Sequence, residues 1–325
     1  MLEIGIIGGA GYTAGELIRL LLNHPKANIN FVYSTSNAGN KLHKVHKDLI
    51  GSTEISFTSQ INTKVDTLFL CLGHGNSTTF LENNNFSKKT KIIDLSNDFR
   101  LLADKNLGGK DFVYGLPELD KTVIKTAKYI ANPGCFATAL QLAILPLAAK
   151  GLLNNDIHIN AVTGATGAGT SLSATTHFTY RDNNFSHYKA FNHQHLGEIN
   201  QTVNQLQANF NAEINFVPNR GNFSRGIFAT TYTKYDGSLD DAVKIYKEYY
   251  KDAAFTFVSD EEIHLKQVIN TNKCLIHLAK HGTKLLITST IDNLLKGASG
   301  QAVQNLNLMY DFEETLGLNL KASYF

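Results

Sequence analysis

A glycine-rich turn near the start of the chain constrains the fold more than any other feature. The segment GGAGYTAG begins at Gly8, where the apolar run LEIGIIG ends, and its last three residues open the amphipathic stretch TAGELIRLLLNHP. An apolar run, a glycine turn and an amphipathic stretch in this order predict a buried strand, a tight turn and a helix. The same order opens a doubly wound parallel sheet.

Further apolar segments fit the same α/β pattern. NINFVYST, TLFLCL (67–72) and KIIDLS (91–96) are typical of buried strands, and strands that alternate with helices indicate a parallel sheet. After residue 135 the pattern changes. HINAVTGATGAGTS begins as a strand and continues as a glycine-rich loop, and three further strands are typical of a mixed or antiparallel sheet: NAEINFVPNR, GIFATTYTKY and KLLITSTIDN.

Two later segments predict helices, and the length predicts more than one domain. SLDDAVKIYKEYYKD has Ser238 as a plausible N-cap, and SGQAVQNLNLMYDF reads as a closing helix. A chain of 325 residues has material for about two domains.

The charge balance, the apolar runs and the cysteine content exclude several classes of protein. The 30 basic and 28 acidic residues give a net charge of +2, which provides no global field for nucleic acid or an anionic membrane. The N-terminus lacks the basic region of a signal peptide, and no run approaches the roughly 20 apolar residues of a membrane span. Cys71, Cys135 and Cys274 form no zinc motif and no disulfide framework. We therefore expect a cytoplasmic protein without a bound metal.

The glycine turn also predicts a dinucleotide site. Glycines at 8, 11 and 15 allow the backbone to approach a pyrophosphate, and the helix that follows presents free N–H groups to it. The predicted contacts are Gly8, Gly11, Tyr12, Thr13 and Ala14. The spacing departs from G-x-G-x-x-G, so a purely structural turn is the alternative.

The residues after the second strand favour NADP(H) over NAD. An acidic residue there would bind the ribose 2′-hydroxyl, but FVYSTSNAGNKL contains none. Ser34, Ser36, Asn37 and Lys41 offer donors for a 2′-phosphate instead. The alternative is that they are ordinary polar loop residues.

Cys135 lies where a nucleophile would be activated. In ANPGCFATALQLAILPLAAKG, Pro133 and Gly134 form a turn and Cys135 begins a long apolar helix, with Pro146 as a possible kink. A helix N-terminus favours thiolate over thiol, and a thiolate can form a thioester with an acyl group. We interpret Cys71 and Cys274, which lie inside apolar runs, as small core residues.

A nucleophilic cysteine of this kind needs an acid–base partner. His193 and His195 in AFNHQHLGEIN are the candidates, and Glu198 follows on the same segment. A metal-binding His pair would need further ligands, which the spacing does not show. The other alternative is a set of polar surface residues at the start of a helix.

Taken together, these segments resemble the N-acetyl-gamma-glutamyl-phosphate reductase family, which is related to aspartate-semialdehyde dehydrogenase. The resemblance runs through ANPGCFATA, TGATGAGTS, FNHQHLGEI, FSRGIFAT and LLKGASGQAVQNLNLMYDFEETLGL. It implies an NADP-binding Rossmann domain over 1–134 and 302–325. It also implies an inserted α+β mixed-sheet domain for catalysis and oligomerisation over 135–301, in a homodimer or homotetramer.

The resemblance also implies roles for individual residues. Cys135 matches the nucleophile, and His193 and His195 match the segment that carries the base. The implied cofactor contacts are Gly167, Asn293, Lys296 and Gly297, and the last three match a segment near the nicotinamide. The implied substrate contacts are Arg100, Asn132, Glu198, Arg225 and Gln301.

The implied reaction belongs to arginine biosynthesis. Cys135 attacks an N-acyl-glutamyl 5-phosphate and expels inorganic phosphate, and NADPH reduces the thioester to the semialdehyde. The chain departs from the family pattern at Phe136, Thr163, Thr166, Thr170, Gln194, Gly197 and Asn219. These departures suggest an N-acyl group that is bulkier or more polar than acetyl, such as succinyl. The alternatives are an aspartyl or lysine-pathway substrate, and a non-catalytic NADP-binding sensor.

Overall fold

The structure is a computed structural model that describes all residues from Met1 to Phe325. The chain forms two compact units, Met1–Gly134 with Ala298–Asn319 and Cys135–Gly297 with Leu320–Phe325. The strands are β1 (Leu2–Ile7), β2 (Ala27–Tyr33), β3 (Phe57–Thr58), β4 (Thr67–Leu70), β5 (Lys91–Asp94), β6 (Asn106–Leu107), β7 (Lys110–Asp111), β8 (Val113–Tyr114), β9 (Tyr129–Ala131), β10 (Ile157–Thr163), β11 (Ser186–His187), β12 (Ile214–Arg220), β13 (Ile227–Lys234), β14 (Thr256–Ser259), β15 (Cys274–His281) and β16 (Lys284–Ile291). The α-helices are α1 (Tyr12–Leu22), α2 (Asn76–Asn83), α3 (Pro117–Thr126), α4 (Cys135–Ala149), α5 (Phe178–Arg181), α6 (His195–Leu206), α7 (Leu239–Tyr249) and α8 (Gly300–Met309).

The first unit contains the predicted parallel sheet. Its seven strands lie in the order β3-β2-β1-β4-β5-β9-β8, and every neighbouring pair is parallel. The strand order reverses between β1 and β4, and ligands of doubly wound sheets bind outside the carboxyl ends of the strands at such a point. The fold class predicted from the sequence is thus confirmed.

The glycine turn follows β1, as predicted. Gly8 has φ of +78°, and a Cβ there would lie 2.5 Å from the carbonyl oxygen of Cys71. Only glycine meets both conditions without strain. Helix α1 then begins after Gly11, and no side chain caps its first turn.

The second unit contains a mixed sheet in the order β11-β12-β10-β13-β16-β15-β14. Strands β10 and β12 are parallel, whereas β13 and β16 run antiparallel to their neighbours. Thr163 pairs with both Arg220 and Ile227, and Ile227 pairs with Ile291. The termini of four neighbouring strands therefore lie side by side at one end of this sheet.

Helix α4 is buried along almost its whole length and continues through Pro146. A proline has no N–H, so the carbonyl of Leu142 four residues earlier loses its helical donor. The Tyr250 hydroxyl donates to that carbonyl at 2.6 Å, and the Tyr246 hydroxyl donates to the carbonyl of Ala143 at 2.5 Å. Tyr250, the residue after α7, thus supplies the donor that α4 lacks at Leu142, and Tyr246 of α7 adds a second bond to the next carbonyl.

The ends of the two units differ slightly from the boundaries expected from the sequence. The first unit resumes at Ala298 rather than at 302, because the Ser299 hydroxyl donates to the carbonyl of Thr13 at 2.7 Å. Residues 320–325 belong to the second unit, where the Ser323 N–H donates to the carbonyl of Ile269 at 3.0 Å. None of the helices has the length and apolar character that a membrane crossing requires.

Candidate active site

Cys135 is the first residue of α4, at the helix N-terminus that the sequence predicts for it. The next residue, Phe136, is buried, and its ring packs edge-on against three others. The ring centroid of Phe136 lies 5.5 Å from that of His193, 6.4 Å from that of His195 and 5.1 Å from that of Phe216. The second unit therefore brings the predicted nucleophile and both predicted base candidates into one cluster.

The two histidines have different environments. The backbone N–H of His195 donates to Nδ1 of His193 at 3.2 Å, so the neutral ring of His193 carries its proton on Nε2. Burial, and then the charge of Lys189, lowers the pKa of His193 to about 4. His195 begins α6, and its Nε2 lies 3.9 Å from Oε1 of Glu198 one turn later. The carboxylate of Glu198 therefore lies beside the ring of His195.

Tyr188 and Arg220 also belong to this cluster, although neither was singled out in the sequence. The ring of Tyr188 lies 5.8 Å from that of His193, and the Arg220 guanidinium lies 4.7 Å from the centroid of the Tyr188 ring. Burial and the negative charge of Cys135 raise the pKa of Tyr188 to about 12, although its hydrogen bond with Arg220 acts in the opposite direction. No local motif marks these residues, because the pairing of β11 with β12 brings them together.

A buried carboxylate holds the predicted substrate residue Arg225. Nε and Nη2 of Arg225 contact the two oxygens of Asp292 at 3.1 and 3.2 Å. Asp292 has no exposed surface, and its Oδ1 also accepts the N–H groups of Leu294 and Leu295. The sequence does contain a signal for Asp292, since it is a carboxylate directly after the buried strand β16.

Two predicted cofactor residues of the second unit, Asn293 and Gly167, lie on the segments next to this carboxylate. Oδ1 of Asn293 accepts the N–H of Gly226 at 2.6 Å, and its Nδ2 donates to Oγ1 of Thr166 at 3.1 Å. Gly167 lies on the same loop, where an added Cβ would contact Thr163 at 3.2 Å. Asn293 therefore ties this loop to the start of β13.

Gly297 lies directly against the predicted nucleophile. A Cβ at position 297 would lie 2.9 Å from Cβ and 3.2 Å from Cα of Cys135. Lys296, the residue before it, is fully buried. The absence of a side chain at Gly297 is what allows Cys135 its position.

The first unit offers an anion cradle at the start of α1. A Cβ at Gly11 would meet no atom within 4 Å, and no side chain caps the helix. The first N–H groups of a helix have no partner within it. The open space at Gly11 and the uncapped N–H groups of Tyr12, Thr13 and Ala14 fit a pyrophosphate.

Three of the four residues predicted for a 2′-phosphate form a cluster after β2. Nδ2 of Asn37 donates to the hydroxyls of Ser34 and Ser36 at 3.2 and 3.1 Å. Lys41 instead pairs with Glu54, with its Nζ 3.3 Å from the carboxylate and 2.5 Å from the backbone carbonyl. The polar cluster fits a phosphate, whereas Lys41 would have to leave its partner to join it.

The remaining predicted substrate residues lie in the first unit and are engaged there. Nε of Arg100 donates to the carbonyl of Asn132 at 2.8 Å. The Asn132 amide donates to the carbonyl of Ala298 and accepts from Asn305, both at 3.1 Å. Gln301 is fully buried in α8. These contacts hold the segment that leads to Pro133 and Gly134, and a direct role in substrate binding stays a prediction.

Two family models and several relatives match this chain. Residues 3–127 match the semialdehyde dehydrogenase NAD binding domain, and residues 135–293 match the semialdehyde dehydrogenase dimerisation domain. Proteins named N-acetyl-gamma-glutamyl-phosphate reductase from Christiangramia forsetii and Flavobacterium johnsoniae are 69% and 62% identical, over the whole of both chains in each case.

A solved structure shows the same fold at much lower identity. Aspartate semialdehyde dehydrogenase II from Vibrio cholerae superposes with a TM-score of 0.70 at 14% identity, covering 96% of this chain and 98% of its own. The family therefore rests on the matched domains and the full-length relatives, and the superposition supports the fold. The chain belongs to the semialdehyde dehydrogenase family and, within it, to the N-acetyl-gamma-glutamyl-phosphate reductases.

Proposed function

We propose that this protein is an NADP-dependent N-acetyl-gamma-glutamyl-phosphate reductase of arginine biosynthesis. It reduces an N-acyl-glutamyl 5-phosphate to the corresponding 5-semialdehyde and releases inorganic phosphate. The observation that carries this proposal is the placement of Cys135 at the start of α4, next to Phe136, whose ring packs on two buried histidines. The chain is also 69% identical to a relative of that name.

Cys135 acts as the nucleophile. Its sulfur attacks the acyl carbon of the substrate, a C–S bond forms, and the C–O bond to phosphate breaks. The N-terminus of α4 stabilises the thiolate, because the first N–H groups of the helix carry partial positive charge. A side chain at position 297 would clash with Cβ of Cys135, so the glycine there lets the nucleophile keep its place at the start of α4.

His195 is the acid–base group that transfers the proton of the reduced intermediate. The low pKa of His193 keeps that ring neutral, and its Nδ1 already accepts a backbone N–H, so it is poorly suited to take up a proton. Nε2 of His195 lies 3.9 Å from the carboxylate of Glu198, a group that can take part in proton transfer. His195 therefore gives a proton to the reduced intermediate or removes it in the reverse direction, and His193 positions His195 through the backbone.

The cradle at α1 is suited to the dinucleotide. Gly8, Gly11, Tyr12, Thr13 and Ala14 would hold its pyrophosphate. The cluster of Ser34, Ser36 and Asn37 would bind its 2′-phosphate. When bound, NADPH supplies the hydride that converts the Cys135 thioester to a hemithioacetal, which releases the semialdehyde.

The test is the reverse reaction with two substrates. NADP reduction that depends on phosphate or arsenate is measured with N-acetyl- and N-succinyl-glutamate 5-semialdehyde side by side. We expect activity with at least one of them and its loss in Cys135→Ser. Activity that persists in Cys135→Ser contradicts the thioester mechanism. Inactivity with both substrates would move the substrate to the aspartyl or lysine-pathway class.

We further propose that the protein is a homo-oligomer. Four large apolar side chains between residues 172 and 191 are exposed, namely Leu172, Phe178, Phe185 and Phe191. They lie within the region that matches the dimerisation domain of the family. A second copy of the chain is the occupant that this region fits best.

A further inference from the structure

The carboxyl end of β12 carries a cationic group that the proposed reaction does not use. Arg220 is the last residue of β12, and its guanidinium lies 4.7 Å from the centroid of the Tyr188 ring. Tyr188 in turn lies within the electrostatic field of Cys135 and 5.8 Å from His193. Arg220 therefore belongs to the edge of the same cluster as the nucleophile.

A second arginine supports the first. Arg181 is only 7% exposed, and one of its Nη atoms donates to the backbone carbonyl of Arg220 at 2.7 Å. The other donates to the hydroxyl of Ser186 at 3.1 Å. Ser186 pairs with Arg220 across β11 and β12, so these bonds fix the end of β12 from its neighbour strand.

Neither arginine is neutralised by a carboxylate. Arg181 and Arg220 form no ion pair, and the Nε of each is buried without a hydrogen-bond partner. Arg225, five residues after Arg220, instead has both oxygens of Asp292. An unpaired buried guanidinium N–H carries an unfavourable desolvation free energy, which an incoming anion would offset.

A third cation, Lys189, belongs to the same cluster. Besides the two arginines, Lys189 lies close enough to His193 to lower its pKa, and its Nζ contacts the neutral amide of Gln194 at 3.0 Å rather than an acid. A guanidinium presents its donors in a planar fork that matches the two oxygens of a carboxylate. In the proposed reaction the phosphate leaves from the acyl carbon that Cys135 attacks, whereas the Arg220 guanidinium contacts the ring of Tyr188.

We propose that Arg220, positioned by Arg181, binds a carboxylate of the substrate beside Tyr188. This inference rests on the proposed function. The carboxylate has two possible sources in an N-acyl-glutamyl substrate. One is the α-carboxylate of the glutamyl residue, and the other is a terminal carboxylate on a dicarboxylic N-acyl group.

The test compares Arg220→Gln and Arg220→Lys with Lys234→Gln. Lys234 is the last residue of β13, at the opposite end of the strand from Ile227. Its substitution therefore removes one cation from the opposite end of the same sheet. Steady-state kinetics use N-acetyl-glutamate semialdehyde, its N-succinyl counterpart and the α-amide of the better substrate. We expect Arg220→Gln to raise KM about tenfold or more with a smaller change in kcat, Arg220→Lys to retain part of the affinity, and Lys234→Gln to match the wild type.

The substrates separate the two sources of the carboxylate. If the acyl group supplies it, Arg220→Gln raises KM for the N-succinyl substrate and leaves KM for the N-acetyl substrate unchanged. If the α-carboxylate supplies it, KM rises for both, and the α-amide becomes insensitive to the substitution. An unchanged KM for every substrate overturns the proposal.

A second readout does not depend on turnover. Cys135 is alkylated with anionic iodoacetate and with neutral iodoacetamide, and the ratio of the two rates is compared between variants. We expect Arg220→Gln to lower this ratio several-fold and Lys234→Gln to leave it unchanged. A wild type that reduces no acyl-glutamyl substrate contradicts the proposed function, whereas an unchanged alkylation ratio contradicts the role of Arg220.

Discussion

His193 and His195 are two residues apart, yet the structure gives them different chemistry. His193 is buried beside a lysine and accepts a backbone N–H, whereas His195 faces Glu198. The spacing in the sequence identifies both as candidates but cannot separate them, because Phe136 and Phe216 reach His193 from two other segments. The local turn at Cys135, by contrast, needs only its neighbours in sequence and was correctly placed.

His193 should make stability depend on pH. Its pKa of about 4 lies below the ordinary value of 6.5, so folding excludes a proton that the unfolded chain binds. The resulting stability is complete above pH 6.5 and is lost as the pH falls toward 4, by up to about 3 kcal/mol. We expect the free energy of unfolding of wild type to fall more between pH 7 and pH 5 than that of His193→Asn.

The comparison with the variant is needed because Asp94 titrates in the same range. Burial raises the pKa of Asp94 to about 6, so Asp94 stabilises the fold as the pH falls, with the opposite sign. Asp94 is present in both proteins and cancels in the difference. Equal pH dependence in wild type and His193→Asn would contradict the assigned environment of His193.

Substitution by alanine should affect stability differently at two glycines of the first turn, Gly8 and Gly11. Gly8→Ala places a Cβ 2.5 Å from the Cys71 carbonyl at a positive φ, and we expect a loss of about 2 kcal/mol or more in unfolding free energy. Gly11→Ala meets no protein atom within 4 Å, so stability should change little. If a pyrophosphate binds there, KM for NADP should nevertheless rise about tenfold, since the new methyl occupies its space. Thermal unfolding and steady-state kinetics of both variants test this, and an unchanged KM in Gly11→Ala would contradict the cradle.

At the scale of elements, α4 depends on donors from outside the helix. The sequence predicts this helix and shows Pro146 within it, but it cannot show what satisfies the carbonyl of Leu142. The donor is the hydroxyl of Tyr250, which lies 108 positions away in the sequence. Contacts of this kind depend on which elements pack together, and composition and periodicity carry no record of that.

The hydrogen bond from Tyr250 to Leu142 should contribute more to the unfolding free energy when Pro146 is present than when it is replaced. Tyr250→Phe leaves the carbonyl of Leu142 without a donor, and we expect a loss of about 1–2 kcal/mol in unfolding free energy. In a Pro146→Ala background the restored backbone N–H can donate to Leu142, so the same change should cost less. Tyr232→Phe is the control, because its exposed ring stacks on His158 and forms no hydrogen bond through its hydroxyl. Equal losses in both backgrounds of this double-mutant cycle would contradict the assignment.

At the scale of the whole molecule, strand and helix periodicity predicted the two sheets, and the register within them could not be predicted. The glycine turn and the apolar runs led to a parallel sheet, which the pairings of β1 with β2 and β4 confirm. The edge strand β11 has two residues and no apolar alternation, yet it brings Tyr188 to Arg220. Sites that depend on such short strands are invisible in the sequence.

The exposed apolar region of the second unit should control assembly. We expect multi-angle light scattering to show a dimer or tetramer, and the double change Phe178→Ser with Phe185→Ser to reduce its mass. Phe257→Ser is the matched control, because Phe257 is 44% exposed on β14, at the opposite edge of the sheet from β11. A monomeric wild type, or equal effects of both changes, would contradict this interface.

Trapping the acyl group on Cys135 is the decisive test of the thioester mechanism. The protein is mixed with N-acyl-glutamate 5-semialdehyde and NADP in the absence of phosphate, and its intact mass and peptides are measured. We predict one acyl group per chain on the peptide that contains Cys135, its removal by phosphate, and no adduct in Cys135→Ser. Reduction of NADP without any adduct, or an adduct on Cys71 or Cys274, would contradict a thioester mechanism at Cys135.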